Sequence, residues 1–166
     1  MKRIIFVIVF ISIVLGIGIY SVGQYKNNPQ ISVKLNVSSL TDEEFMYVGT
    51  KGLDNPNKND FKNIEFTLDV KNSDAISNRK ITVPDLKAVI SSYDKNRYWF
   101  GNYGTDDSPV HKYAKYDSKS VFYSNGLTDQ DIKNIFNTSE VKISWTTSDG
   151  KDKERIINLG DIIKFE

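Results

Sequence analysis

Apolar and polar positions along this chain fall into two regimes. From Ile4 to Val22 the residues are nearly unbroken Ile, Val, Phe and Leu, diluted by Ser12, Gly16, Gly18 and Ser21 and interrupted by no charge. At about 1.5 Å per helical residue this run reaches roughly 28 Å, close to the hydrocarbon thickness of a bilayer. A helix satisfies its own backbone there. Lys2 and Arg3 stand just before the run, which keeps the N-terminus inside and sends the rest of the chain outside. The pattern predicts a single-pass signal anchor over residues 1–23, a polar tether over 24–30 and an extracytoplasmic domain over 31–166. Ser21-Val22-Gly23 has the small-x-small form of a cleavage site, and cleavage after Gly23 would make the protein secreted. The run exceeds the usual signal core of about 7–15 residues, which favours the anchor.

Beyond the tether the period changes to two. Ile31, Val33, Leu35 and Val37 alternate with Ser32, Lys34, Asn36 and Ser38. The same pattern returns at Ile64, Phe66, Leu68 and Val70, and again at Val141, Ile143 and Trp145. Alternation of this kind predicts half-buried strands of antiparallel sheets. Shorter strands are expected at Lys80–Val83, Leu86–Tyr93, Arg97–Phe100, Ser118–Tyr123 and Lys153–Leu159. Ser148-Asp149-Gly150-Lys151 holds the Asp-Gly pair of a tight hairpin. Leu53 to Asp60 and Asn72 to Asn78 are polar loops.

Helical signals are few. Thr128 followed three residues later by Asp131, with Leu127 and Ile132 spaced as a staple, predicts one helix from Asp129 to Phe136. Thr41 to Glu44 carries the same signature but runs into Met46-Tyr47-Val48, where strand and helical turn are balanced.

Seven to nine short strands, one late helix and a closing hairpin predict an all-β fold, an Ig-like antiparallel β-sandwich behind the N-terminal transmembrane helix. Leu68-Asp69-Val70-Lys71-Asn72, with the polar loop after it, resembles one strand and turn of the Ig-like domains of small Gram-positive envelope proteins. That resemblance implies the fold and carries no functional residue. Composition agrees: beyond Gly23, Ile and Val number 21 against 11 for Leu, Ala and Met together, and branched side chains suit a pleated surface. Eighteen Lys against four Arg suits an AT-rich bacterial genome.

Charge narrows the partners. Setting aside Lys2 and Arg3 leaves 20 cations against 21 anions, a balance that points to neither nucleic acid nor an anionic membrane surface. The chain has no cysteine and a single histidine, His111, in a Pro-Val-His-Lys loop. Nucleophilic catalysis needs a poised base and structural zinc needs N/S ligands, so no catalytic residue, cofactor or metal is expected. Calcium loops place oxygen ligands at alternate positions. Counting from Asp54, those places hold Pro56 and Lys58.

One segment stands out. Nine aromatics lie between Tyr93 and Tyr123, and strand alternation puts Tyr98 and Phe100 on the face opposite Trp99. Both faces cannot enter one core, so either a loop covers the second or it is a contact surface. The candidate partner-binding residues are Trp99, Tyr98, Phe100, Tyr103, Tyr113 and Tyr116. The expected role is a membrane-anchored cell-envelope interaction module without catalytic activity, binding an envelope protein or wall glycan. The alternative is a wall-directed hydrolase or transferase using paired carboxylates.

Overall fold

The two longest alternations of the sequence pair with each other. β1 (Gln30–Ser39) runs antiparallel to β2 (Phe61–Lys71), with Ile31 beside Val70, Val33 beside Leu68, Leu35 beside Phe66 and Val37 beside Ile64. A slip of one residue would turn the apolar row of the slipped strand to water, so the pattern itself holds the register. The structure, a computed structural model, describes residues 27–50, 52–108 and 110–166. The expected membrane segment over residues 1–23 lies outside them, and no described helix is long and apolar enough to cross a membrane.

On its other side β2 pairs with β5 (Tyr113–Tyr123) along its whole length, from Phe61 beside Tyr123 to Lys71 beside Tyr113. β4 (Tyr98–Asp106) pairs with β5 and forms one edge of this sheet. The three-residue β8 (Ile163–Phe165) forms the other, beside β1. The order is β4-β5-β2-β1-β8. A second sheet is ordered β3-β6-β7, from β3 (Ile76–Thr82), β6 (Glu140–Thr147) and β7 (Asp152–Asn158). Gly150 turns the expected β6–β7 hairpin at φ +77°, a left-handed backbone open to glycine. The described residues are mostly β, in two sheets, with four short α-helices where one was expected.

Two expectations need correction. The sheets are not antiparallel throughout, because β1 and β8 are parallel. After β7 the chain turns through the short α4 (Leu159–Ile162) before β8 pairs in the first sheet. The second correction concerns Leu86–Tyr93, which is a helix rather than a strand. Val89 and Ile90 favour a strand by type, yet Leu86, Val89, Ile90 and Tyr93 recur at the helical spacing of three and four. Asp85 caps the helix by accepting from the Lys87 N–H at 2.9 Å. This helix (the second of the four) buries Leu86 and Ile90.

The other helices follow their caps. α3 (Asp129–Phe136) has the expected box, with Thr128 Oγ1 accepting from the Asp131 N–H and the Asp131 carboxylate accepting from the Thr128 N–H. Its Ile132, Ile135 and Phe136 are buried. The balanced segment after Thr41 becomes α1 (Asp42–Met46) through the same reciprocal box, here with Glu44; α2 is therefore Leu86–Tyr93.

The main core draws Leu35, Phe66 and Leu68 from the first sheet and Val141, Ile143 and Trp145 from the second. Leu86, Ile90, Ile132, Phe136 and Leu159 close it from the helices. Trp145 is 6% exposed, and its Nε1–H donates to the Asn27 carbonyl at 3.0 Å. Ser148 Oγ bonds Asn27 Oδ1 at 2.9 Å. The end of the expected tether is therefore seated on the β6–β7 hairpin. Trp145→Ala should cost about 3–5 kcal/mol, the usual range for a buried aromatic. Urea denaturation checks this, through a lowered midpoint with an unchanged slope.

Candidate functional site

The first sheet is apolar on its core face and, at one end, on its other face too, and the aromatic residues of β4 and β5 are divided between them. Pairing places Phe66, Leu68, Tyr116 and Phe122 with Tyr98, Gly101, Tyr103 and Thr105 on the face toward the main core. The opposite face carries Phe61, Asn63, Lys119, Val121 and Tyr123 with Phe100, Asn102 and Gly104. A register shift between Tyr98 and Phe100 accommodates the changeover. Tyr98 and Phe100 thus part company, against the simple alternation expected for them, because one extra residue at the bulge reverses the face of the residues after it.

Trp99 belongs to a second cluster under the segment after β1. Leu40, Val48, Phe61 and Val121 are buried there, with Phe45, Leu53, Trp99 and Tyr123 packed against them. The Trp99 ring meets Phe61 edge-on at 5.5 Å, and its Nε1–H donates to the Gly49 carbonyl at 2.6 Å. The residues after β1 thus cover the second face at this end. Tyr98 packs on the main core beneath Lys87, whose Nζ lies 5.6 Å from the ring centroid.

The remaining candidates are more open. Phe100 is 44% and Tyr103 60% exposed. Tyr103 leans toward Tyr116, with centroids 6.5 Å apart. Tyr113 projects from the opposite face, stacked on His111 at 5.1 Å, and donates its hydroxyl to Asp106 at 2.9 Å. The neighbouring Asp106 carboxylate, by accepting that bond, raises the Tyr113 pKa. Burial first, and then the hydrogen bond to Asp107, raise the pKa of Tyr116. The six residues therefore do not form one flat platform: they flank the β4 edge from two sides.

Grooves open on either side of that edge. One, about 440 Å³, lies between β4 and the start of α2, lined by Phe66, Leu86, Lys87, Tyr98, Gly101 and Tyr103 among others. The other, about 310 Å³, lies beside α1 and is lined by Glu44, Tyr47, Asn63, Phe100, Gly101 and Lys119 among others. Gly101 reaches both. A Cβ there would stand 2.8 Å from the Lys119 carbonyl and the Tyr98 hydroxyl, so the strand needs glycine for close packing. A glycine inside a strand pattern is the signal that could have marked this place in the sequence.

Two polar networks anchor the surroundings, and neither was legible beforehand because each joins residues far apart in the chain. Arg79 on β3 pairs with Asp107 at 2.5 Å, and donates to Asn72 Oδ1 at 3.1 Å and to the Tyr113 carbonyl at 3.2 Å. This ties the second sheet to the β4–β5 loop. On the other side Lys119 bridges Glu44 and Glu65 at 2.9 Å each. Lys119, followed by the Thr41 N–H, lowers the Glu44 pKa from 4.5 to about 2. Asn63 donates to the same carboxylate at 3.1 Å, while its buried Oδ1 has no protein partner among the described residues.

Chemically the surface offers aromatic area, paired charges and strand backbone. Every described Asp and Glu is at least partly exposed. The acid in the groove beside Trp99, Asp94, pairs with Arg97 at 3.3 Å. The described residues hold no group of three or more metal-ligating side chains. Compared with protein-family models, curated proteins and solved structures, the chain matches none.

Trp99→Ala should destabilise the fold by about 2–3 kcal/mol, less than Trp145→Ala, since it removes ring contacts from a half-covered site. Paired urea titrations of the two variants check the order. Glu44→Gln should cost about 1 kcal/mol near neutral pH, the scale of one cap and an exposed ion pair. A depressed carboxylate pKa stabilises the fold above the unfolded value and loses that effect as protons bind the folded form. The gap between parent and variant should therefore close as pH falls from 4.5 toward 2. Melts across that window measure it.

Proposed function

We propose that the chain is a membrane-tethered, extracytoplasmic Ig-like domain acting as a non-catalytic interaction module of the cell envelope. Its contact surface is the aromatic edge at β4. The single observation that carries this reading is the exposure of Phe100 and Tyr103 on an edge strand with a groove on each side. Exposed aromatics at the rim of apolar grooves are a usual mark of partner sites.

Support for the Ig-like reading comes from strand order. Lettered in sequence, β1 to β7 become A to G, and the sheets read D-E-B-A and C-F-G, the constant-type arrangement. β8 is an addition beside A. Support for the membrane comes from the sequence: a cationic start, a span-length apolar run and a short tether leading into a folded domain. A protein partner is favoured over a wall glycan, because rings split between two faces make no continuous stacking surface. The alternative of a hydrolase or transferase with paired carboxylates draws on no observation among the described residues.

Photo-crosslinking in the intact envelope tests this reading. A photoreactive residue in place of Tyr103 should give a protease-sensitive adduct, whereas the same residue in place of Arg155 on β7 should give none. Adding Tyr103→Lys to a probe at Phe100 should weaken its adduct about tenfold, the effect of about 1.4 kcal/mol, without moving the melt. Equal adducts at Tyr103 and Arg155 overturn the proposal, and an adduct released by muralytic digestion would move it to glycan.

A further inference from the structure

Sheet edges carry unpaired N–H and C=O groups, and folded proteins usually blunt them. Three of the four edges here are blunted. β8 is three residues long. β3 has a register shift between Ser77 and Lys80, with Asn78 at φ 53° and the cations Arg79 and Lys80 beside it. β7 opens with Asp152, Lys153, Glu154 and Arg155. β4 differs. After its early bulge it runs regularly from Phe100 to Asp106, without proline or lysine and with one charge at its last residue. No described strand covers its outer side.

The order of residues along β4 is also self-complementary. Gly101 and Tyr103 lie on one face, Phe100 and Gly104 on the other. Two antiparallel copies meeting about a dyad perpendicular to the sheet keep their faces aligned, so only registers pairing residues of like face are allowed. With the dyad at Asn102, Gly101 faces Tyr103 of the second copy and Phe100 faces its Gly104. Each exposed ring then lies across from a position without a side chain, the arrangement by which an aromatic covers a strand glycine. Between Phe100 and Gly104, where the strand is regular, no charged residue faces another. Moving the dyad to Gly101 sets two glycines face to face at the centre. Moving it to Tyr103 sets that ring against its own copy and leaves Gly101 opposite Thr105.

We propose that β4 pairs antiparallel with β4 of a second copy of this chain about Asn102, joining the two five-stranded sheets into one. This rests on the reading of β4 as the contact surface and names the partner. Main-chain hydrogen bonds supply the attachment, as in other strand additions, and the ring–glycine pairs select the register.

The test uses the full chain, which has no native cysteine, in mild detergent. Asn102→Cys places two thiols opposite each other across the dyad, about 4.5–5.5 Å apart at Cα, within disulfide reach. Thr105→Cys lies three residues from the dyad, about 20 Å from its mate at 3.4 Å per residue. Under mild oxidation Asn102→Cys should form covalent dimer in at least about tenfold greater yield than Thr105→Cys, given the narrow geometry of the bond. Light scattering should show that Tyr103→Lys in the parent chain shifts dimer to monomer with an unchanged melt. Equal disulfide yields at the two positions, or a monomeric parent at high concentration, overturn self-pairing. If the Tyr103 photoprobe then still captures a different protein, the interaction-module reading survives and only the identity of the partner falls; if it captures nothing, both fall.

Discussion

The full-length pairing of β2 between β1 and β5 constrains everything else. Its even-numbered residues from Ile64 to Val70 are buried in the main core, and the partners at Leu35, Val37 and Ala114 follow from the register. The odd-numbered row faces the other way, and at the first turn of the strand it too is apolar: Phe61 lies in a second cluster with Leu40, Val48 and Val121. A sheet with both faces apolar at one end needs cover there, and α1 with the residues after it provides that cover. The capping box at Thr41 and Glu44 holds this segment in place, and the same Glu44 carboxylate reaches Lys119 on β5.

Much of this is legible in the sequence because it is written in local period. Strict alternation identifies β1, β2 and β6, the Asp-Gly pair identifies the hairpin, and the Thr128 box identifies α3 with its bounds. Leu86–Tyr93 misleads because residue type and spacing disagree there, and spacing together with the Asp85 cap wins. The parallel β1–β8 pair leaves no mark in the sequence, since three residues are too few for a period.

The candidate surface is legible in part. Nine aromatics in one stretch point to β4 and β5, and the need for two kinds of cover comes from alternation. The bulge near Trp99 has no such signal, and it decides that Phe100 shares the face of Phe61 rather than that of Tyr98. Nor do the Arg79–Asp107 and Glu44–Lys119–Glu65 pairs, whose members are separated by tens of residues. Tertiary charge pairing carries no sequence period. Gly101 and Gly104 are visible but silent until the strand is placed at an edge, where a missing side chain becomes a feature of shape.

The seating of Asn27 on the β6–β7 hairpin has a mechanical consequence. Its carbonyl is held by the Trp145 indole in one sheet, and three residues later the chain enters β1 in the other. A pull on the chain ahead of Asn27 is therefore shared between the two sheets from the outset, rather than peeling β1 from its free end. Load arriving from the N-terminal side would have to break the bond to an indole packed in the core before it could begin to unzip β1 from β2.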